Sequence, residues 1–160
     1  MTKKIEIGAE VSGGFQFVKV SNEQAFPAWA EMSKVVDYFH DTMIPYEDKK
    51  EDIQAALDYI FSGDAGRGGF LMLVEKDQKL VGALLMQRTG MSGYIPENIL
   101  LFVTISPELR GLGVGRKLIE HCINECDGDV KLHVEYDNPA KRLYERIGFE
   151  NKYADMRFSK

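Results

Sequence analysis

At 160 residues, with 44% hydrophobic and 28% charged side chains, the sequence fits one globular domain, 1–160, with a sizeable core. Its 20 Lys+Arg against 25 Asp+Glu leave a net charge of −5, which argues against sequence-independent nucleic-acid binding, since that needs a basic surface. Residues 1–20 hold no secretory core and no apolar run approaches a membrane span, so the expectation is a cytoplasmic chain with no membrane partner.

Residues 1–14 read as an extra strand or a frayed arm closed by the Gly13-Gly14 turn, and Phe15 to Val20 alternates as a first strand. Ser21 and Gln24 form a capping-box pattern, followed by Phe26, Trp29, Met32, Val36 and Phe39 at helical spacing. Pro27 suits only a first turn, so that helix starts near Phe26 or kinks there. Trp29, Phe39 and His40 could line an acceptor site, but a stripe at this spacing is core first. After a break at residues 41–45, a second helix is expected from Tyr46 to Ser62, with Ile53, Leu57, Ile60 and Phe61 on its apolar side. Glu47, Asp48, Glu51 and Asp52 at its start would favour the helix dipole, or attract a cationic acceptor.

The glycine-rich stretch 63–69 reads as a flexible loop. Phe70–Glu75 and Leu80–Gln87 form a strand pair joined at Asp77-Gln78, with Gly82 suggesting a bulge. The Thr89–Asn98 loop precedes the next strand, and its Tyr94 either covers a substrate or packs on the surface.

The most informative stretch is 98–126. An apolar strand, Ile99 to Ile105, passes through Ser106-Pro107 into Arg110-Gly111-Leu112-Gly113-Val114-Gly115, and a helix follows with Leu118, Ile119, Cys122, Ile123 and Cys126 on one face. A strand feeding a glycine turn that opens a helix suits a phosphate. Backbone N–H groups can approach closely, and the first turn of the helix has unpaired donors at the positive end of its dipole. No Walker pattern fits the turn, and its glycines do not match the dinucleotide fingerprint. A glycine turn with no ligand is the plain alternative. Cys122 and Cys126, at i and i+4, read as two buried thiols rather than a metal or redox pair.

After Asp127-Gly128-Asp129, Val130–Tyr136 reads as a strand. Asn138-Pro139 opens a short helix, Ala140 to Arg146, capped by Gly148, and Phe149 to Ser159 reads as a last strand or tight hairpin. The order β, α, α, β, β, β, α, β, α, β packs naturally as a mixed α/β sandwich around a central sheet.

The turn Arg110-x-x-Gly113-x-Gly115 resembles the Arg/Gln-x-x-Gly-x-Gly/Ala signature of the GNAT N-acetyltransferase family. A second segment, Asn138 followed by Ala140, then Leu143-Tyr144-Glu145 and Gly148-Phe149, is similar to another part of that family's pattern. The resemblance is strong over 98–149 and extends in element order from Phe15 to Phe158. It implies the acyl-CoA N-acyltransferase fold, a central, mostly antiparallel sheet splayed between two strands and flanked by helices. It also implies acetyl-CoA as co-substrate, no metal, and a small-molecule or peptide amine as acceptor. Oligomeric state reads as monomer or homodimer.

By the same resemblance, the backbone of Val103, Thr104 and Ile105 would pair with the pantetheine arm. Arg110, Gly111, Leu112, Gly113, Val114, Gly115 and Arg116 would hold the pyrophosphate. Asn138, or Asp137 in its place, would contact the cofactor, because the segment from Asn138 to Tyr144 is one residue short of the usual pattern. Tyr144 would be the general acid that protonates the departing thiolate. Many relatives carry a carboxylate base where this chain has Leu101 and Phe102. His133 and Glu135, two apart on the next expected strand, are the substitute bases, with Glu97 as a third candidate through water. The need depends on the acceptor: deprotonating an amine of pKa about 10.4 at pH 7 costs roughly 4.6 kcal/mol, one near 8 only about 1.4 kcal/mol. The remaining alternatives are an acyltransferase with another acyl donor, a non-catalytic acyl-CoA sensor on the same fold, and a dinucleotide-binding module.

Overall fold

The computed structural model describes residues 6–11 and 13–160. Six strands form one sheet in the order of the chain: β1 (Glu6–Val11), β2 (Phe15–Val20), β3 (Gly69–Lys76), β4 (Lys79–Arg88), β5 (Asn98–Ile105) and β6 (Val130–Leu132). Neighbours are antiparallel from β1 to β5, and β5 and β6 are parallel. Four helices cover it: α1 (Met32–Met43) and α2 (Lys50–Phe61) after β2, α3 (Val114–Glu125) between β5 and β6, and α4 (Ala140–Ile147) last. The mixed, mostly antiparallel sheet with helices is the expected class. Of the expected arm at 1–14, residues 6–11 are β1, and residues 1–5 and 12 lie outside the described residues.

Alternation along the strands makes two cores. Leu71, Leu73, Ala83 and Leu85 face one way, onto Val35, Val36 and Phe39 of α1 and Ile53, Leu57 and Ile60 of α2. Phe70, Met72, Val74, Leu84 and Met86 face the other way, onto Val114, Leu118, Ile119 and Cys122 of α3. Each fully buried side chain of this size contributes about 1.5–3 kcal/mol. Phe39 is wholly buried and Trp29 packs against the same core, so both are structural, while His40 pairs with Asp41.

Besides the register shift between Ile7 and Glu10 of β1, two bulges adjust the strands near the site. The register between β4 and β5 passes from Met86↔Leu100 to Leu85↔Phe102, leaving Leu101 as the extra residue. Leu101 and Phe102 consequently both turn to the α1–α2 face, whereas Leu100 and Val103 face α3. The other bulge is at Val81, beside the expected Gly82 rather than on it. Gly82 is there for room: a Cβ would lie 2.7 Å from Ile105 Cδ1 and 2.8 Å from Val74 Cγ2. At the β3–β4 turn, Asp77 and Gln78 both take positive φ, as a two-residue hairpin of the expected kind requires.

Four expectations at element ends are corrected. No helix runs from Ser21: Asn22 caps a short 3-10 turn over Glu23–Ala25, Phe26 is extended, and α1 begins only at Met32. Pro27 explains this, because it lacks an N–H and forces the residue before it out of the helical region. The second helix starts at Lys50, so Glu51 and Asp52 are in its first turn while Glu47 and Asp48 precede it. The strand expected over Val130–Tyr136 ends at Leu132, beyond which β5 gives it nothing to pair with. No strand forms over 149–159: Tyr153, Met156 and Phe158 are exposed, and with Phe149 they keep no two-residue period that could bury one face.

Gly82→Ala should lower stability in urea unfolding by about 1–3 kcal/mol through overpacking. Gly115→Ala, whose Cβ would meet its nearest neighbour at 3.6 Å, should leave the unfolding free energy within about 0.5 kcal/mol.

Candidate functional site

β5 is the strand on which the site is built. It pairs with β6 over Asn98↔Val130, Ile99↔Lys131 and Leu100↔Leu132 and then separates, while its other edge stays on β4 to Ile105. From Leu101 onward the backbone groups on the β6 side face a gap between the two strands. The bulge at Leu101 sits one residue past the last pair, and the added local twist is the physical cause of the split.

The end of β5 runs into the glycine turn. A 3-10 turn at Pro107–Leu109 precedes Arg110, Gly111 and Gly113 take φ of 82° and 81°, and α3 starts at Val114. The first backbone bond into α3 is donated by Lys117 N–H to the Gly113 carbonyl at 3.2 Å, and Gly113 brings no side-chain cap. Among the described residues, the N–H groups of Val114, Gly115 and Arg116 are therefore donors without a partner at the positive helix end. Cβ atoms at Gly111 and Gly113 would meet nothing within 4 Å, so the turn is open on the ligand side. Gly115 instead faces Ile105 and Leu143 at ordinary contact distance. Leu112 stands exposed at the tip, and Arg116 Nε donates to Glu120 at 2.8 Å, an exposed pair that a phosphate could displace cheaply.

Arg110 is turned differently from the others. Its Nε donates to the Ile105 carbonyl at 3.2 Å and its Nη2 to the Thr42 carbonyl at 2.7 Å, near the end of α1. Around it lies a set of hydroxyls that sequence reasoning missed. Thr104 Oγ1 donates to Thr42 Oγ1 at 2.8 Å, Thr42 Oγ1 donates to the Tyr38 carbonyl at 2.6 Å, and Tyr38 Oη shares a 2.7 Å hydrogen bond with Ser106 Oγ. Their signal was available: Tyr38, Thr42 and Thr104 are hydroxyl residues in otherwise apolar stripes. Burial pushes the Tyr38 hydroxyl up to about 12.

α4 brings Tyr144 to the α3 side of the sheet, where it packs with Val103, Leu143 and Phe149 in the same apolar cluster and meets the Phe149 ring edge-on at 6.0 Å. Burial alone pushes its hydroxyl up to about 12, and among the described residues it has no hydrogen-bond partner. Asn138 serves the start of α4, its Oδ1 accepting from Ala140 N–H at 2.9 Å, so its side-chain amide donors stay available. The neighbouring Asp137 is exposed, and its carbonyl accepts from Tyr46 Oη at 3.1 Å.

Two of the three candidate bases, His133 and Glu97, are engaged in other contacts. His133 and Glu135 are on irregular chain beyond β6, not on two positions of one strand. His133 Nε2 lies 3.1 Å from Asp155 and its Nδ1 3.5 Å from Arg157. Desolvation holds its pKa below the usual value, against the pull of Asp155. Both ring nitrogens therefore have a polar neighbour, Asp155 at Nε2 and Arg157 at Nδ1. Glu135 is exposed, and Glu97 accepts the Asp129 N–H at 2.6 Å, which lowers its pKa and weakens it as a base. Cys122 is buried, and Cys126 donates to the Cys122 carbonyl at 3.2 Å; desolvation pushes its thiol up to about 11. A hollow of about 630 Å³, lined by Arg67, Arg88, Glu97, Glu125 and Cys126 among others, lies at the opposite ends of β5 and α3 from the glycine turn. It is separate from the glycine turn and Tyr144, and of the candidate bases Glu97 lines it.

The sequence profile of the acetyltransferase (GNAT) family matches residues 29–149. The chain belongs to this family. It is 30% identical over 93 residues to the 5-NmdU N-acetyltransferase of Pseudomonas phage PaMx11, a match covering 56% of this chain and 64% of that protein. It is 40% identical over 57 residues to mouse (Mus musculus) cysteine-rich protein 2-binding protein, covering 35% of this chain but only 7% of that one. In three dimensions it is similar to the aminoglycoside N-acetyltransferase AAC(6')-Iy solved in complex with CoA, with a TM-score of 0.63 over 94% of this chain and 99% of that one at 13% identity. No helix among the described residues is long and apolar enough to cross a membrane.

Tyr38, Tyr144 and Cys126 all have folded pKa values raised above their unfolded ones. The stability each contributes is complete below its unfolded pKa and is lost as pH rises through the folded value. Urea midpoints should therefore hold at about pH 8 and fall between roughly pH 9 and pH 12. The Tyr38→Phe/Tyr144→Phe double variant should show a shallower alkaline decline.

Proposed function

We propose that this chain is an acyltransferase that moves an acetyl group from acetyl-CoA to an amine. The observation that carries the reading is that β5 parts from β6 after Leu100 and leads directly into an uncapped, open glycine turn at the head of α3. An extended arm fits beside the free edge of β5, and a pyrophosphate fits the donors of the turn; the available room at Gly111 and Gly113 supports both. Family membership and the CoA-bound neighbour point the same way.

Acetyl-CoA would supply the thioester as a substrate. The chain's own part begins with Gly111, Leu112, Gly113, Val114, Gly115 and Arg116, whose N–H groups would take the phosphate charge. On β5, Val103 offers the free backbone edge for the arm; the Ile105 carbonyl is already held by Arg110. A backbone N–H on this edge would polarise the carbonyl under attack. The amine nitrogen bonds to the acyl carbon, the carbon–sulfur bond breaks, and the electron pair leaves on sulfur. Tyr144 gives that sulfur a proton, and the proton shed by the newly acylated nitrogen returns to the tyrosinate through water; the Tyr144 hydroxyl is neutral throughout the physiological range and has no acceptor among the described residues to surrender. Asn138 is near this helix start with two free amide donors.

For the proton on the attacking amine, Leu101 and Phe102 are turned into the α1–α2 core and His133 and Glu97 are committed, which leaves the exposed Glu135 as the candidate whose carboxylate has no hydrogen bond among the described residues. This favours an acceptor whose own amine has a pKa near 8, which loses its proton to water at a cost of about 1.4 kcal/mol at pH 7.

Thermal unfolding with acetyl-CoA, free CoA, a nicotinamide dinucleotide and ATP tests the ligand: the first two alone should raise the melting temperature, by several degrees near saturation. A response only to the dinucleotide would overturn the reading. Tyr144→Phe should then lower kcat by about 10²-fold with unchanged CoA affinity. With a panel of amines, the rate should rise with pH along each acceptor's own titration. A chain that binds CoA but transfers nothing to any amine would instead be a sensor.

A further inference from the structure

Residues 106–113 have little of their own to hold them. Their internal backbone bonds are Leu109 N–H to Ser106 and Arg110 N–H to Pro107, none of residues 107–109 is buried, and two glycines sit at positive φ. Yet the N–H donors at Gly111–Arg116 must be pre-aimed to bind an anion well. Ser106 N–H is held by the Val81 carbonyl of β4 and Leu109 packs against the α3 core, while the side-chain tethers all run to one place. Tyr38 Oη reaches Ser106, Thr104 reaches Thr42, and Arg110 joins the Thr42 carbonyl to the Ile105 carbonyl. Each ends on the last two turns of α1, where the Met43 carbonyl accepts from Tyr46 N–H and the Thr42 carbonyl is left for the cation of Arg110.

We propose that Arg110 is a positioning residue rather than a phosphate ligand: its guanidinium clamps the end of β5 and the end of α1 together, and so aims the glycine turn. The planar fork suits this task. It offers donors at fixed separation to two carbonyls at once, which a lysine ammonium on a flexible stem does not reproduce. The clamp also makes the end of α1 part of the ligand site without contact: whatever shifts Thr42 shifts the turn. For what the turn binds, this inference rests on the acyltransferase reading.

The test has two readouts. Hydrogen exchange on the unliganded protein should speed up in Arg110→Ala at residues 106–116 and at 38–43 together, with the rest of the sheet unchanged. CoA affinity, measured by calorimetry below the melting point of the weakest variant, should fall roughly tenfold in Arg110→Ala, and by the same factor at low and high salt. Tyr38→Phe should weaken binding in the same direction, and adding it to Arg110→Ala should cost little more, because the clamp is already open. Arg110→Lys should recover only a small part. The proposal is overturned if the loss shrinks as salt rises and adds fully to that of Tyr38→Phe, the signature of a direct phosphate contact. It is equally overturned if exchange at 38–43 does not change. Should the wild-type chain bind no CoA, the acyltransferase reading falls, and the clamp is still decided by the exchange measurement.

Discussion

The rest of the site depends on one extra residue in β5. With Leu101 inserted, β5 cannot keep both partners in register: it stays on β4 and leaves β6 after Leu100. The cost is a handful of unmade ladder bonds on the β6 side. What is gained is backbone donors and acceptors in a gap between two strands, reachable by an extended ligand but by no strand of the sheet. The same bulge turns Leu101 and Phe102 together into the α1–α2 core, which anchors the kink energetically and removes side chains from the gap.

The two buried tyrosines separate binding architecture from chemistry. Both hydroxyls are held near 12, and in both cases burial is the main reason. Tyr38, however, spends its hydroxyl on Ser106, and that bond offsets part of the rise. It is a strut between α1 and the glycine turn. Tyr144 faces the other core beside Val103, and nothing but desolvation shifts it. A neutral donor with no acceptor in the protein is a costly thing to keep half-buried unless a ligand atom completes it. The contrast favours Tyr144, not Tyr38, as the group that hands over a proton.

What could be read from the sequence follows the range of the interactions involved. The 98–126 segment was legible almost to the residue, because strand, turn and helix there are dictated locally by apolar spacing and by glycines that the turn needs at positive φ. The Asp77-Gln78 hairpin and the Gly148 cap were legible for the same reason. Errors cluster where pairing at a distance decides. Val130–Tyr136 has the composition of a strand, but only three residues find a partner, so His133 and Glu135 lose the common face that made them a pair of bases. The first helix starts neither at Ser21 nor near Phe26 but at Met32, because Pro27 forces the chain before it out of the helical region whatever the apolar spacing suggests. Arg110 was assigned through its neighbours in the motif, and side-chain direction is not written in a spacing pattern.

α1 connects these observations. Its buried face, Val35, Val36 and Phe39, fixes it to the sheet, and its C-terminal turn carries Tyr38 and Thr42 out to the end of β5. Hydrophobic burial sets the position of the helix to within a side chain. The hydroxyl and guanidinium bonds then refine its last turn against Ser106 and Ile105 to hydrogen-bond tolerance. Non-directional burial supplies most of the stability and directional bonds supply the aim, which is the division of labour an anion-binding turn requires. The polar residues between two apolar cores are therefore placed where a core residue could hold the fold equally well but could not orient an N–H.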